Sequence, residues 1–352
     1  MSTAEGRTRP GRKVWVAAAV LVVVVAGLMH GYRNTNALTG DRLCGGLVST
    51  ARSDGVLPGS GRLDAEGEGL AEELKDTVCE VEKSSVVLGS GRGTLTLRVR
   101  EEDGDAPLKD EAWPEPSEAS FFSGKVTGGV DKYRGWVLLP EKCWAKQPLF
   151  VGASSSEPIS DSKAFAALIT DAARAVAAGA ACGDLPEEPG TLLPPRSAAA
   201  RPASDGRVCG LDGFSVRGQV PADTEVLEAG QKAPAGLWSC TVSLDDDSRG
   251  PVRADGFMTY TASRNPLLIA AVKKAPGTSK GEAPGGREAE VVGRTGVVLP
   301  CARGELYPAS ESGLQYVEAR KRHPDLPARD TYFESFVKSA AEAFGCGPSA
   351  RR

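Results

Sequence analysis

Eight cysteines, arranged as two groups of four with nearly the same spacing, constrain this 352-residue chain more than any other feature. Cys44, Cys79, Cys143 and Cys182 stand 35, 64 and 39 residues apart; Cys209, Cys240, Cys301 and Cys346 stand 31, 61 and 45 apart. The flanking residues agree. Leu43-Cys44-Gly45 matches Val208-Cys209-Gly210, the V-L-L-P run at 137–140 before Cys143 matches V-V-L-P at 297–300 before Cys301, and Cys182-Gly183 matches Cys346-Gly347. Such a pattern reads as an internal duplication and, at an even count, as a disulfide framework. Metal binding has no support in the spacing: no pair is C-x-x-C, and the two histidines are His30 and His323.

Eight cysteines allow 105 pairings. Pairing within each group, with the groups matched, leaves three. The sequential scheme joins Cys44 to Cys79, Cys143 to Cys182, Cys209 to Cys240 and Cys301 to Cys346. It ties the segment at each group's start to a first strand and the closing helix to the strand end after Leu-Pro. Each such loop contributes roughly 3–4 kcal/mol of chain entropy. The nested scheme, first with fourth and second with third, is its rival.

Residues 14–29, VWVAAAVLVVVVAGLM, carry no charge or strong polar group. These 16 residues span roughly 24 Å as a helix, short of a bilayer core of about 30 Å. Gly31 and Tyr32 extend the run, with Trp15 and Tyr32 as interfacial aromatics. Arg7, Arg9, Arg12 and Lys13 precede it and Arg33 follows. The positive-inside rule therefore keeps the tail in the cytoplasm and exports the rest. Thr35-Asn36-Ala37 is a poor cleavage site, and Asp41-Arg42-Leu43 before Cys44 does not form a lipoprotein box, so an uncleaved signal-anchor is favoured. The expected layout is a cytoplasmic tail at 1–13, a transmembrane anchor at 14–32, one extracytoplasmic domain at 33–183, a Pro-rich linker at 184–206 and a second domain at 207–348. That makes a single-pass cell-membrane protein, with its N-terminus cytoplasmic and its bulk extracytoplasmic.

Charge narrows the partners. The chain carries a net −4, and its first 13 residues carry +3, so the remainder carries −7. An acidic exported part argues against nucleic acid and anionic lipid as ligands. At 41% hydrophobic and 25% charged residues, wholesale disorder is also excluded.

Each group reads as α+β, an antiparallel sheet with a closing C-terminal helix. Trp238, Cys240, Val242 and Leu244 alternate with Ser239, Thr241 and Ser243, and Leu95, Leu97 and Val99 alternate with Thr96, Arg98 and Arg100; both read as strands with one buried face. Residues 136–139 and 297–299 are continuous apolar runs, the mark of central strands. Residues 257–261 and 267–272 are further strand candidates. Phe165, Leu168, Ile169, Ala172 and Val176 share offsets 0, 3, 4, 7 and 11 with Phe333, Phe336, Val337, Ala340 and Phe344, one helical face in each repeat. Thr331 and Glu334 suit a capping box, Ser160 an N-cap, and Gly183 and Gly347 left-handed caps. Residues 101–116 and 275–287 read as surface loops, the best places for a contact patch.

A basic tail, one anchor, a linker and four-cysteine domains with C-G-G and L-P-x-x-C elements, over residues 11–347, resemble membrane-anchored actinobacterial cell-envelope proteins. A single block is also similar to Mog1/PsbP-like exported lipoprotein domains. That resemblance implies a sheet covered by helices and a binding or accessory role, with no catalytic residues to carry over.

The chemical constellations are weak. His323 sits in a basic turn, Arg320-Lys321-Arg322-His323-Pro324, far from any triad pattern. Ser160/Lys163 and Ser335/Lys338 fit S-x-x-K but lack S-D-N and K-T-G companions. The glycine-rich stretch at 89–93 lies between strands and not at a helix start, and Asp245-Asp246-Asp247 lacks EF-hand spacing. The reading assigns no catalytic, cofactor-binding or metal residues and no cofactor. It expects a non-enzymatic, membrane-anchored binding or scaffolding protein of the bacterial cell envelope, partnered by the cell membrane and by an envelope protein or ligand. An exported hydrolase with a carboxylate-based site is the alternative.

Overall fold

The computed structural model describes residues 12–37, 39–85, 93–109, 112–197, 201–202, 207–216, 220, 224–231, 236–245 and 256–347. The chain is mixed α+β, with six α-helices among these residues. In the first repeat the strands are β1 (Arg62–Glu66), β2 (Val78–Ser84), β3 (Gly93–Glu101), β4 (Ser120–Phe122), β5 (Thr127–Val130), β6 (Arg134–Leu138) and β7 (Leu149–Ser155). They form one antiparallel sheet in the order β1-β2-β3-β7-β6-β5-β4. In the second repeat β8 (Glu225–Gly230), β9 (Leu237–Asp245), β10 (Met258–Ser263), β11 (Ser279–Ala283), β12 (Arg287–Val292), β13 (Gly296–Pro300) and β14 (Glu305–Ser312) repeat that order as β8-β9-β10-β14-β13-β12-β11. Two meanders thus meet at a central pair, β3 with β7 and β10 with β14, and the chain crosses between them after the third strand.

Helix α1 (Arg12–Asn34) precedes the first repeat, and α2 (Thr50–Val56) follows its first disulfide cysteine. Helix α3 (Ser162–Gly179) closes the first repeat. In the second, α4 (Pro266–Lys273) occupies the crossover, α5 (Leu314–Arg322) follows the last strand, and α6 (Arg329–Ala343) closes the fold. Asp161, one residue beyond Ser160, is the N-cap of α3, its carboxylate accepting from the amides of Lys163 and Ala164 at 2.9 Å. Helix α6 starts after Ala328 without a side-chain cap, so Thr331 lies inside it and forms no capping box. The left-handed residues at the helix ends are Ala181 (φ 50°) and Gly345 (φ 66°), not Gly183 and Gly347. Each lets the following cysteine amide reach back to a helix carbonyl, Cys182 to Ala177 and Cys346 to Ala341.

Residues 267–272, a strand candidate by their apolar run, lie in α4. A short apolar run suits either element. Asn265, accepting from the Leu268 amide at 2.9 Å, and Pro266 in the first turn decide for helix.

The disulfides follow the sequential scheme: Cys44–Cys79, Cys143–Cys182, Cys209–Cys240 and Cys301–Cys346. Four disulfides point to an oxidising, extracytoplasmic compartment. The duplication reaches the backbone. Cys44 (φ 48°) and Cys209 (φ 56°) are both left-handed, each followed by a left-handed glycine, Gly45 or Gly210. A Cβ on Gly45 would lie 2.7 Å from the Glu68 carbonyl oxygen, which explains the C-G pair.

Each repeat has its own core between the sheet and its closing helix. A third core joins them. In β6, Val137 faces α3 in the first core while Trp136 and Leu138 enter the third; in β13, Val297 and Leu299 face inward while Val298 enters the third. The continuous apolar runs thus reflect strands covered on both faces. The linker also binds both repeats. Leu193 bridges to Phe121 on edge strand β4, and Arg196–Ser197 and Arg201–Pro202 then pair along edge strand β8. Covering both edges blocks further strand addition there.

Helix α1 has 23 residues, and its apolar side chains at 15–29 are exposed. These 15 residues extend about 22 Å. Among the described residues no helix is long and apolar enough to cross a membrane. The transmembrane helix expected at 14–32 is therefore present as a helix but not shown as a span. Its end docks on the first repeat: Arg62 lies 4.4 Å over the Tyr32 ring, and Asn36 Oδ1 accepts from the Leu63 amide at 2.7 Å.

Candidate functional site between the repeats

The third core brings the two crossovers together. The first repeat contributes the turn Ala106–Leu108, and the second contributes α4 with Leu268, Ile269, Ala271 and Val272. Gly104 allows the contact, since a Cβ there would collide with the backbone of Ala271 and Val272. Polar bonds cross the seam: Gln231 Nε2 donates to the Ala119 carbonyl in a buried bond, and Asn265 Nδ2 to the half-buried Ser123 Oγ, both at 2.9 Å.

A further polar group in this seam surrounds Asp105. Tyr307 Oη donates to Asp105 Oδ2 at 3.2 Å, and Lys109 Nζ lies 2.9 Å from Oδ1. Burial, and then the Asp105 carboxylate, push the Tyr307 hydroxyl well above its ordinary value, so it stays a donor. Thr259, Thr261, Thr295 and Glu311 line the same cleft. The alternation in β9 and β10 puts Ser239, Thr241, Thr259 and Thr261 on one face, where Thr241 and Thr259 hydroxyls meet at 2.8 Å and Thr261 donates to Ser239 at 3.3 Å. One buried face on β9, carrying Trp238, Cys240, Val242 and Leu244, predicts solvent on the side of Ser239, Thr241 and Ser243. Ser239, Thr241, Ser243, Thr261 and Ser263 are all buried instead. This half-open cleft has about 10 Å³ of water-sized space, room for a single water. The arrangement positions hydrogen bonds between the repeats.

The sequence-derived sites fall in different places. Residues 101–116 do not form a free recognition loop: Asp105, Pro107, Leu108 and Trp113 are buried in or beside the seam. Residues 275–287 become the hairpin of β11 and β12, turning through Gly285 (φ 87°) and Gly286 (φ 74°). His323 is exposed at the end of α5, and Ser335 and Lys338 lie within α6. Residues 86–92, with most of the glycine-rich stretch, and Asp246 and Asp247 lie outside the described residues. Among the described residues, one group has metal-ligand proximity, Cys209, Glu228 and Cys240. Its two sulfurs are bonded to each other, so they offer no thiolate. The Asp105–Tyr307 pair was missed because its members are 202 residues apart.

No family model, curated protein or solved structure matches this chain.

Proposed function

We propose that this chain is a membrane-anchored extracytoplasmic binding or scaffolding protein of the cell envelope, acting as one two-repeat body without catalysis. The observation that carries this reading is the state of the buried charges. Among the described residues the buried charged side chains are Lys83, Asp105 and Asp171. Each is held by structural partners. Lys83 donates to the carbonyls of Asp54 and Leu57 and lies 3.0 Å from Asp54 Oδ1. Asp171 lies 3.1 Å from Arg42 and 2.7 Å from Arg174. Asp105 is shared by Tyr307 and Lys109. Such groups rigidify a fold, whereas a catalytic acid or base sits beside a reacting centre.

The uncovered apolar side chains of α1, in a helix of about 34 Å, support anchorage through residues 14–32. The basic residues before it support an outside location for the repeats. External protease on intact cells should degrade the repeats and spare the anchor; a protected repeat region would refute the topology. Chemical crosslinking of the full chain in its membrane should capture a defined envelope component.

The alternative, an exported carboxylate hydrolase, has one specific candidate. Burial raises the Glu115 carboxyl, opposed by hydrogen bonds from the Ser117 hydroxyl at 3.1 Å and its amide. Turnover of a wall glycan or peptide, abolished by Glu115→Gln, would overturn the non-enzymatic reading. The expected outcome is no turnover by either chain.

A further inference from the structure

We propose that the Cys301–Cys346 bridge is a thiol-exchange site, attacked at Cys301 by an external thiolate and opened with Cys346 as the leaving group. This goes beyond the binding role and does not depend on it. Two features of the second repeat converge here. Cys301 is half-buried, whereas the other seven cysteines are buried, Cys346 completely. An incoming thiol therefore meets Cys301 first. A guanidinium waits at the other sulfur: Arg287 Nη2 lies 3.5 Å from Cys346 Sγ. The same side chain donates from Nη1 to the Cys346 carbonyl at 2.6 Å and from Nη2 to the Pro300 carbonyl.

The second effect is electrostatic. Cys346 follows the C-terminal end of α6, where the helix dipole disfavours an anion. Arg287 and Arg264 oppose this, with Arg264 Nη1 donating to the Phe344 carbonyl at 3.0 Å. A cation beside a sulfur stabilises its thiolate, and a stabilised thiolate leaves faster in exchange. The step balances. The attacking thiolate forms a bond to Cys301 Sγ, the Cys301–Cys346 bond breaks, and its electron pair departs on Cys346 Sγ beside Arg287. A mixed disulfide remains on Cys301; a second thiolate attacking the attached sulfur releases a reduced Cys301.

The first repeat supplies an internal contrast. Glu290 pairs with Val298 in the second sheet as Thr127 pairs with Leu138 in the first. Counting back three residues puts Gly124 where the second repeat has Arg287. Gly124 carries no side chain, and the matching bridge has both cysteines buried, Cys143 at 7% and Cys182 at 8% exposure.

The test is peptide mapping of the full chain in detergent after graded reduced glutathione, with released thiols trapped by N-ethylmaleimide. Glutathione should appear on Cys301 and the trap on Cys346, with this bridge opening roughly tenfold faster than Cys143–Cys182. Arg287→Met should slow opening several-fold, and Arg287→Lys should restore much of the rate. Glutathione on Cys346, earlier opening of Cys143–Cys182, or an unchanged or faster rate in Arg287→Met would overturn the proposal. Mapping on the parent chain decides the site of attack even if the variant folds poorly.

Discussion

The two repeats share a strand order and a disulfide plan but fill their cores with different residues. Behind the first sheet, α3 packs Phe165, Leu168, Ile169, Ala172 and Val176 into a mainly aliphatic core whose other fully buried aromatic is Phe122. Behind the second, Phe214, Tyr260 and Phe336 contact one another and Phe336 stacks on Trp238, with ring centroids 4.8–6.1 Å apart. Phe257, Tyr316 and Tyr332 continue the cluster. The outer faces differ as much. On β2 and β3, Glu80 and Arg98 face solvent; on β9 and β10 the corresponding face carries buried hydroxyls. Topology therefore tolerates wholesale replacement of core residues while the apolar pattern and cysteines are kept. Surface chemistry was free to diverge once one face was needed for the seam.

The largest effect should come from core truncation. Phe336→Ala removes a ring that contacts Trp238, Phe214 and Tyr260, and should cost about 3–5 kcal/mol. Phe165→Ala should cost toward the lower end of that range, because small neighbours such as Ala166 and Ala172 can close around the gap more readily than rigid rings. Chemical denaturation of both chains measures the difference; equal losses would show that aromatic packing gives the second core no special sensitivity.

An intermediate effect is expected at the seam. Gly104→Val places a side chain against the Ala271–Val272 backbone and should cost about 1–3 kcal/mol or separate the repeats. Scanning calorimetry should give one cooperative transition for the parent chain and two for the variant. Two transitions in the parent would mean that the third core does not couple the repeats.

The smallest effect tests the helix ends. Ala181→Gly relieves a left-handed alanine and should stabilise the first repeat by about 1 kcal/mol, whereas Gly345→Ala should destabilise the second by a similar amount. Thermal melts that move in the same direction would refute the equivalence of the two caps.

Much of this architecture was legible locally. Alternation in β3 and β9 marked strands because a half-buried face has period two, and the shared offsets of the closing helices marked one apolar face in each. The cysteine spacing exposed the duplication because each bridge must return the chain to the same place in a repeated fold. Helix ends were less legible: Asp161 rather than Ser160 caps α3, a choice that depends on backbone dihedrals.

The chain by itself determined two similar α+β repeats and an apolar N-terminal helix, and it left sequential and nested bridging both open; the structure decided for the sequential scheme. Only the tertiary structure decided that the Ser239, Thr241 and Thr261 face is buried, that residues 101–116 enter a seam, and that Asp105 meets Tyr307. Periodicity records how one segment divides its residues between two sides. It does not record which distant segment covers the second side, and here the cover comes from the other repeat. The same holds for Arg287 beside Cys346, a pairing set by the packing of a strand start against a helix end 59 residues later.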